Sequence, residues 1–384
     1  MKTNDWDAIG VYSLMPEEFK EAIGMDNQLL CHDGTPKSSL SEGTRETLIP
    51  WIDNSSQDVA PESKTTPREI EADQLLEQGI EQQKIGQFVA ARESFKAALD
   101  IYTELQHQRK IGRVLSYVGL NFYSMGDFSQ AINHAHRSLN IAHQIEDLRL
   151  EGKVLGILGN SYRHLGDLSQ AIEYGQQSLS IMRKLQDCAG EVATLNNLGL
   201  AYKAMGDIPG AIAYQQQSLR VVQTLSDLQA QEQILRNLGN ACYGIGDYSL
   251  AIQYYIQRLA IVRELGDRRL EGQILRNLCY ACYALGDYSR AIHYGRQRLI
   301  TARELKDRRA QEQALGNLGV AYDALGDYPQ AIECYEQRLK VARSIPDQRV
   351  ERQALSSLTV ACYTLGDYAK VMEYHQQGLA MRDR

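Results

Sequence analysis

Apolar and small residues return along this chain in a forty-residue rhythm. Leu195, Leu198 and Tyr202 share one helical face, and Ala211, Ile212, Tyr214 and Leu219 share a second. Gly206 and Asp207 lie between the two sets. The spacing predicts a helix over about 187–205 and a second ending near residue 225. Gly206 stops the first, because a left-handed C-terminal cap costs glycine little. Pro209 suits the first turn of the second, where its missing N–H is harmless. Asp227 opens the next unit, in step with Asp267, Asp307 and Asp347. The glycine itself recurs as Gly86, Gly126, Gly166, Gly206, Gly246, Gly286, Gly326 and Gly366. Asp follows it from the second copy onward, and five residues later comes Ala, or Val371 in the last copy. No insertion breaks the register. One helix–turn–helix unit copied eight times, each burying its apolar face against its neighbours, is an α-solenoid.

The rhythm divides the chain into a leader, residues 1–66, and an array of eight units over 67–384. The leader holds both Trp, Trp6 and Trp51, and four of the eight Pro. Its residues 41–66 are rich in Ser, Thr, Asp, Glu and Pro and read as a flexible linker. Residues 14–24 have the pattern of a short amphipathic helix, with Ser13 as its cap and Pro16 in its first turn. The last unit ends at Arg384 without the polar capping helix that usually finishes a solenoid, which is expected of a fragment or of an end covered by a partner.

Leu195, Leu198, Gly199, Tyr202, Gly206, Asp207, Ala211 and Leu219, with their copies over about residues 70–384, resemble the tetratricopeptide repeat. Two features depart from the family's usual form: its period is about 34 residues, and an Asp-led junction here replaces its Pro. The forty-residue version, with Gln257-Arg258-Leu259, Gln297-Arg298-Leu299 and Gln337-Arg338-Leu339 in the second helix, is similar to LGN/Pins-type regulators, kinesin light chains and bacterial multi-repeat proteins. The resemblance implies an all-α fold, a right-handed superhelix of paired helices A and B. It also implies a concave face, lined by helix A, that binds peptides.

On that face one phase reads Asn197, Asn237, Asn277 and Asn317. Carboxamides bond the backbone of an extended peptide whatever its side chains, so these Asn are candidate partner contacts. Hydrogen bonding between adjacent helices is the alternative. Arg236 and Arg276 flank the Asn phase as candidate carboxylate anchors, because a guanidinium fork matches a carboxylate. Asn240, Tyr243 and Tyr283 complete the candidate surface. Arg258, Arg298 and Arg338 are expected to pack their aliphatic stems in helix B with the charge emerging, in a slot that holds Ser178 and Ser218 in earlier repeats.

Charge narrows the partner. Residues 1–69 hold 6 basic against 13 acidic residues, and the rest 35 against 35. A neutral array does not collect phosphate backbones, which argues against nucleic acid. No apolar run approaches a membrane span of about 20 residues, and a cytoplasmic protein is expected. Cys279 and Cys282 match C-x-x-C but lie mid-helix without further ligands, and Cys242, Cys282 and Cys362 take a slot that is Tyr elsewhere, so packing is their expected role. His134 and His136 face different directions on one helix and make no clamp. No nucleophile–base pair, phosphate loop, metal set or cofactor motif stands out. The expected protein is a non-enzymatic scaffold binding a protein or peptide, with an acidic partner favoured by the two Arg. A ligand-sensing regulatory module is the alternative. The acidic leader adds the expectation that it docks back on the array, set against a solvated tail.

Overall fold

A computed structural model describes residues 66–345 and 348–380. The leader helix, the linker and the docking expectation lie outside the described residues, apart from Thr66. Among these residues there are sixteen helices and no strands: α1 (Pro67–Lys84), α2 (Phe88–Glu104), α3 (Gln108–Ser124), α4 (Phe128–Gln144), α5 (Leu148–Leu165), α6 (Leu168–Leu185), α7 (Cys188–Met205), α8 (Ile208–Val222), α9 (Leu228–Gly244), α10 (Tyr248–Leu265), α11 (Arg268–Ala284), α12 (Tyr288–Glu304), α13 (Arg308–Leu325), α14 (Tyr328–Ala342), α15 (Gln348–Leu365) and α16 (Tyr368–Ala380). Odd-numbered helices are helix A of each repeat, and even-numbered ones helix B.

The helix ends follow from local chemistry. Thr66 caps α1, its hydroxyl accepting from the Glu69 N–H at 3.2 Å, and Pro67 fills the first position. Every later cap with a recorded side-chain bond is an Asp. Asp127, Asp167, Asp207, Asp247, Asp287, Asp327 and Asp367 cap B helices, and Asp147, Asp187, Asp227, Asp267 and Asp307 cap A helices. Each carboxylate accepts the N–H three residues on, at 2.9–3.3 Å. Such a cap contributes about 1 kcal/mol. Gly206 stops α7 at φ 88°, as the sequence predicts. The equivalent stop after helix B is rarely glycine: Gln106, Glu146, Gln186, Ser226 and Lys306 adopt φ 54–55° there.

Two compact units divide the chain between Ile234 and Leu235. In the unit ending at Ile234, α1/α2, α3/α4, α5/α6 and α7/α8 pack as pairs, and α2, α4 and α6 each pack on the A helix that follows. Ala91, Phe95, Leu120, Ala131, Leu158 and Leu198 lie in its cores. In the other unit α11/α12, α13/α14 and α15/α16 pair in the same way, with α10, α12 and α14 each touching the A helix that follows. Cys242, Cys279, Cys282 and Cys362 are buried in this packing as free thiols, and burial pushes the Cys279 thiol up to about 12 and Cys282 to about 11.

Helix A meets helix B through a size exchange. A Cβ on Gly79, Gly239 or Gly319 would lie within 2.2–2.5 Å of the ring of Phe95, Tyr255 or Tyr335. Where helix A carries Cys279, the facing residue of helix B is Gly295, and a Cβ there would come within 3.8 Å of the sulfur. Gly159 faces Gly175, and a cavity of about 10 Å³ remains beside them.

Between repeats, arginines at the end of helix B form clamps. Arg183, Arg263 and Arg343 donate through Nε to Glu191, Glu271 and Glu351 at 2.7–2.9 Å. Their Nη2 atoms reach Gln217, Gln297 and Gln377 at 2.7–3.0 Å. Arg303 reaches Gln337 at 3.1 Å. Gln297 and Gln337 of the Gln-Arg-Leu triplets, like Gln217 and Gln377 at the same phase, therefore tie one repeat to the one before it.

Candidate functional site

Helix A presents the candidate residues at very different depths. In the unit after residue 234, Arg236, Asn237, Asn277, Tyr243 and Tyr283 are half-buried, and Arg276 and Asn240 are exposed. Asn240 accepts the Tyr255 hydroxyl at 2.9 Å. Tyr243 meets Tyr248, and Tyr283 meets Tyr288, with ring centroids 5.2 and 5.3 Å apart. Burial pushes the Tyr283 phenol up to about 12.

Asn317, at the same phase as Asn277, is only 1% exposed, and both polar atoms of its amide are buried without a hydrogen-bond partner. It meets no partner at the surface as the protein stands. In the unit before residue 235, the amide atoms of Asn197 are likewise buried and unbonded. Asn197 lines the 10 Å³ cavity with Asn160, whose amide is in the same condition. Space for one water beside two amides has the character of a hydration site. The adjacent Asn196 accepts from Gln215 Nε2 at 2.8 Å, bonding helix to helix.

The arginine slot of helix B corrects one expectation. The stems do pack, but the charge does not emerge: Arg258, Arg298 and Arg338 are 3%, 4% and 0% exposed. In the earlier repeats Ser138, Ser178 and Ser218 use the slot to donate to the Gly112, Gly152 and Val192 carbonyls at 2.7–3.1 Å. Arg338 instead donates through Nε to Glu312 at 2.5 Å, and Arg298 through Nη2 to the Gln313 oxygen at 2.8 Å.

Of the two candidate anchor arginines, one lines a cleft. Arg276 lines a cleft of about 580 Å³ between α11, α12 and α13, together with Arg269, Arg298, Arg309, Gly272 and Gln313. Arg236 is not part of its lining. Asp307 stands on the rim with its Oδ1 accepting the Ala310 N–H. Arg269, Arg276 and Arg309 are exposed and, among the described residues, form no ion pair. Sequence reasoning missed Arg269 and Arg309, although a signal was available: their phase reads Arg109, Arg149, Ala189, Gln229, Arg269, Arg309 and Arg349. Among the described residues no group of His, Cys, Asp and Glu has the makings of a metal site, and no helix is long and apolar enough to cross a membrane.

No curated protein matches the chain. Among solved structures, the C-terminal part of a TPR repeat-containing protein from Cytophaga hutchinsonii is 15% identical, with 75% of this chain and 98% of that one covered and a TM-score of 0.54. A signal transduction ATPase with numerous domains and a tetratricopeptide repeat sensor, from Pyrococcus horikoshii, is 16% identical, with a TM-score of 0.52. That match covers 99% of this chain, which spans 66% of the ATPase chain. At these identities the likeness is one of fold. The family model described as tetratricopeptide repeat matches residues 150–224, 230–304 and 310–384. Together with the capped, paired helices these matches place the chain in the tetratricopeptide repeat family.

Proposed function

We propose that this protein is a non-catalytic cytoplasmic scaffold that holds a peptide or helix of an acidic protein partner against helix-A side chains. The observation that carries the reading is the arginine-lined cleft at Arg276, whose exposed guanidinium groups pair with no carboxylate among the described residues. Arg236, Asn237, Asn240, Tyr243, Asn277 and Tyr283 extend the contact surface within the same unit. Exposed or half-buried arginine, amide and phenol groups suit a peptide, offering carboxylate recognition, backbone bonding and ring contact. Asn197 and Asn317 would join only if a partner opened the helix packing around them.

A second reading is a regulatory module that senses a ligand and controls an effector. Its support is the Pyrococcus horikoshii ATPase, a protein with a tetratricopeptide repeat sensor, whose match covers 99% of this chain. The leader enters both readings, because its excess of acidic residues makes it an internal competitor for the arginines.

Affinity capture with full-length protein, the R236E/R276E variant and a chain lacking residues 1–65, read by mass spectrometry, tests the scaffold. A specific protein set is expected on the wild type, lost from the double variant at unchanged melting temperature, and enriched when the leader is removed. Capture of no specific protein by any of the three would sink the scaffold reading.

A further inference from the structure

Helix A carries a glycine at one phase in three repeats, as Gly112, Gly152 and Gly272. In the first two, large side chains fill the space beside it. A Cβ built on Gly112 would lie 2.8 Å from Leu150 and 3.0 Å from Ile141, and one on Gly152 2.8 Å from Met182 and 2.9 Å from Ile181. Thr301 and Ala302 stand in α12 where Ile181 and Met182 stand in α6. A Cβ on Gly272 would accordingly meet Thr301 alone, at 3.7 Å. These shortened side chains open the floor of the 580 Å³ cleft, which Gly272, Thr301 and Ala302 all line.

The rim above that floor is basic and uncompensated. The carboxylates nearest in sequence are engaged elsewhere: Asp267 and Asp307 cap helices, Arg268 holds Glu271 and Glu304, and Arg338 holds Glu312. Arg269, Arg276 and Arg309 line the cleft, are exposed, and form no ion pair among the described residues. Gln313 gives its oxygen to Arg298, which leaves its NH₂ to donate.

We propose that the cleft recognises a phosphorylated residue of the partner, so that phosphorylation of that residue switches binding on. The proposal rests on the scaffold reading and deepens it by naming the group that is held. A carboxylate has two oxygens, which one bidentate guanidinium engages at once. A phosphate monoester has three terminal oxygens and carries a charge of about −1.5 to −2 at neutral pH. Three unpaired guanidiniums and an amide donor match that larger charge and oxygen count, and arginine clusters suit phosphorylated segments for this reason. Size agrees. A free phosphate would leave most of 580 Å³ empty, whereas a phosphorylated side chain with its adjoining backbone fills a site of roughly 300–1,000 Å³. Ala302 and Leu305 offer the carbon atoms of the carrier an apolar floor.

The test presents full-length protein to three immobilised libraries of short peptides with randomised flanks and a central phosphoserine, Glu or Ser. The phosphoserine library should retain at least about tenfold more protein than the Glu library, and the Ser library almost none. Arg269→Gln/Arg309→Gln, at the exposed rim, should abolish that preference at unchanged thermal midpoint. Thr301→Ile/Ala302→Met installs the side chains of α6 over Gly272. It should raise the thermal midpoint and remove most of the binding. Lys340→Ala, exposed on α14, should bind as wild type. Inorganic phosphate and adenosine monophosphate should displace the protein only at far higher concentration than soluble phosphoserine peptides do. No preference for phosphoserine over Glu, or a preference that survives in the Arg269→Gln/Arg309→Gln protein, would overturn the proposal. So would displacement by either small molecule at the peptides' own concentration, which would assign the cleft to a small phosphorylated ligand. Phosphatase treatment of a lysate should remove the partner that wild type captures. If capture survives that treatment but is lost in R236E/R276E, the scaffold reading stands and this assignment alone falls.

Discussion

The Nε of Arg338 lies 2.5 Å from Oε1 of Glu312, with the two side chains 0% and 4% exposed. Arg338 also reaches the Ser357 hydroxyl of the next repeat at 3.4 Å, so one guanidinium spans three helices. Desolvating both charges offsets much of their attraction, but removing one partner leaves the other buried and uncompensated.

Glu312→Gln should therefore destabilise the protein by about 3–5 kcal/mol. Replacing both partners with apolar residues of similar volume should cost far less, because no charge is then stranded. Urea unfolding of the two proteins checks the difference. Equal losses would show that the ion pair, beyond its packing, contributes to stability.

The size exchange between helices A and B gives a second expectation. Gly319→Cys places atoms against the Tyr335 ring, where even a Cβ would come within 2.2 Å. Overpacking of this kind costs about 1–3 kcal/mol. Adding Tyr335→Gly recreates the Cys279/Gly295 arrangement of the preceding repeat. Losing the ring is itself destabilising, so the double variant stays below wild type. Its loss should nevertheless fall short of the sum of the single losses by about 1 kcal/mol or more. Simple additivity in a double-mutant cycle would contradict the exchange.

Asp323 carries a pH dependence. Burial pushes its carboxyl up to about 6, against a smaller opposing effect of the Tyr335 hydroxyl that donates to it at 2.8 Å. An unfolded Asp titrates near 3.9. Between these values the folded protein binds more protons than the unfolded chain. Stability therefore falls as pH rises from about 4 to about 6, by no more than about 3 kcal/mol. Asp323→Asn keeps an acceptor for Tyr335 and should flatten that stretch of the stability profile. Chemical denaturation across the window reads the slope, and an unchanged slope in the variant would refute the assignment.

What the sequence determined by itself is what neighbours along the chain decide. Gly206 ends α7 and Asp207 starts α8 through backbone geometry and a bond spanning three residues, so both were legible from spacing alone. Leu195, Leu198 and Ala211 were legible as core for the same reason, since helical period fixes the face. The family followed from the recurrence of these local signals. The tertiary structure decided what depends on the next helix over. Asn277 and Asn317 share one phase, yet one is half-buried and the other sealed, a difference that the shared phase does not set. Arg298 and Arg338 share a register, yet Glu312 closes over one while Gly272 leaves the other lining a cleft. Periodicity assigns a residue to a face. Its depth, its partner and the space beside it come from side chains twenty to forty positions away, and only packing brings those together.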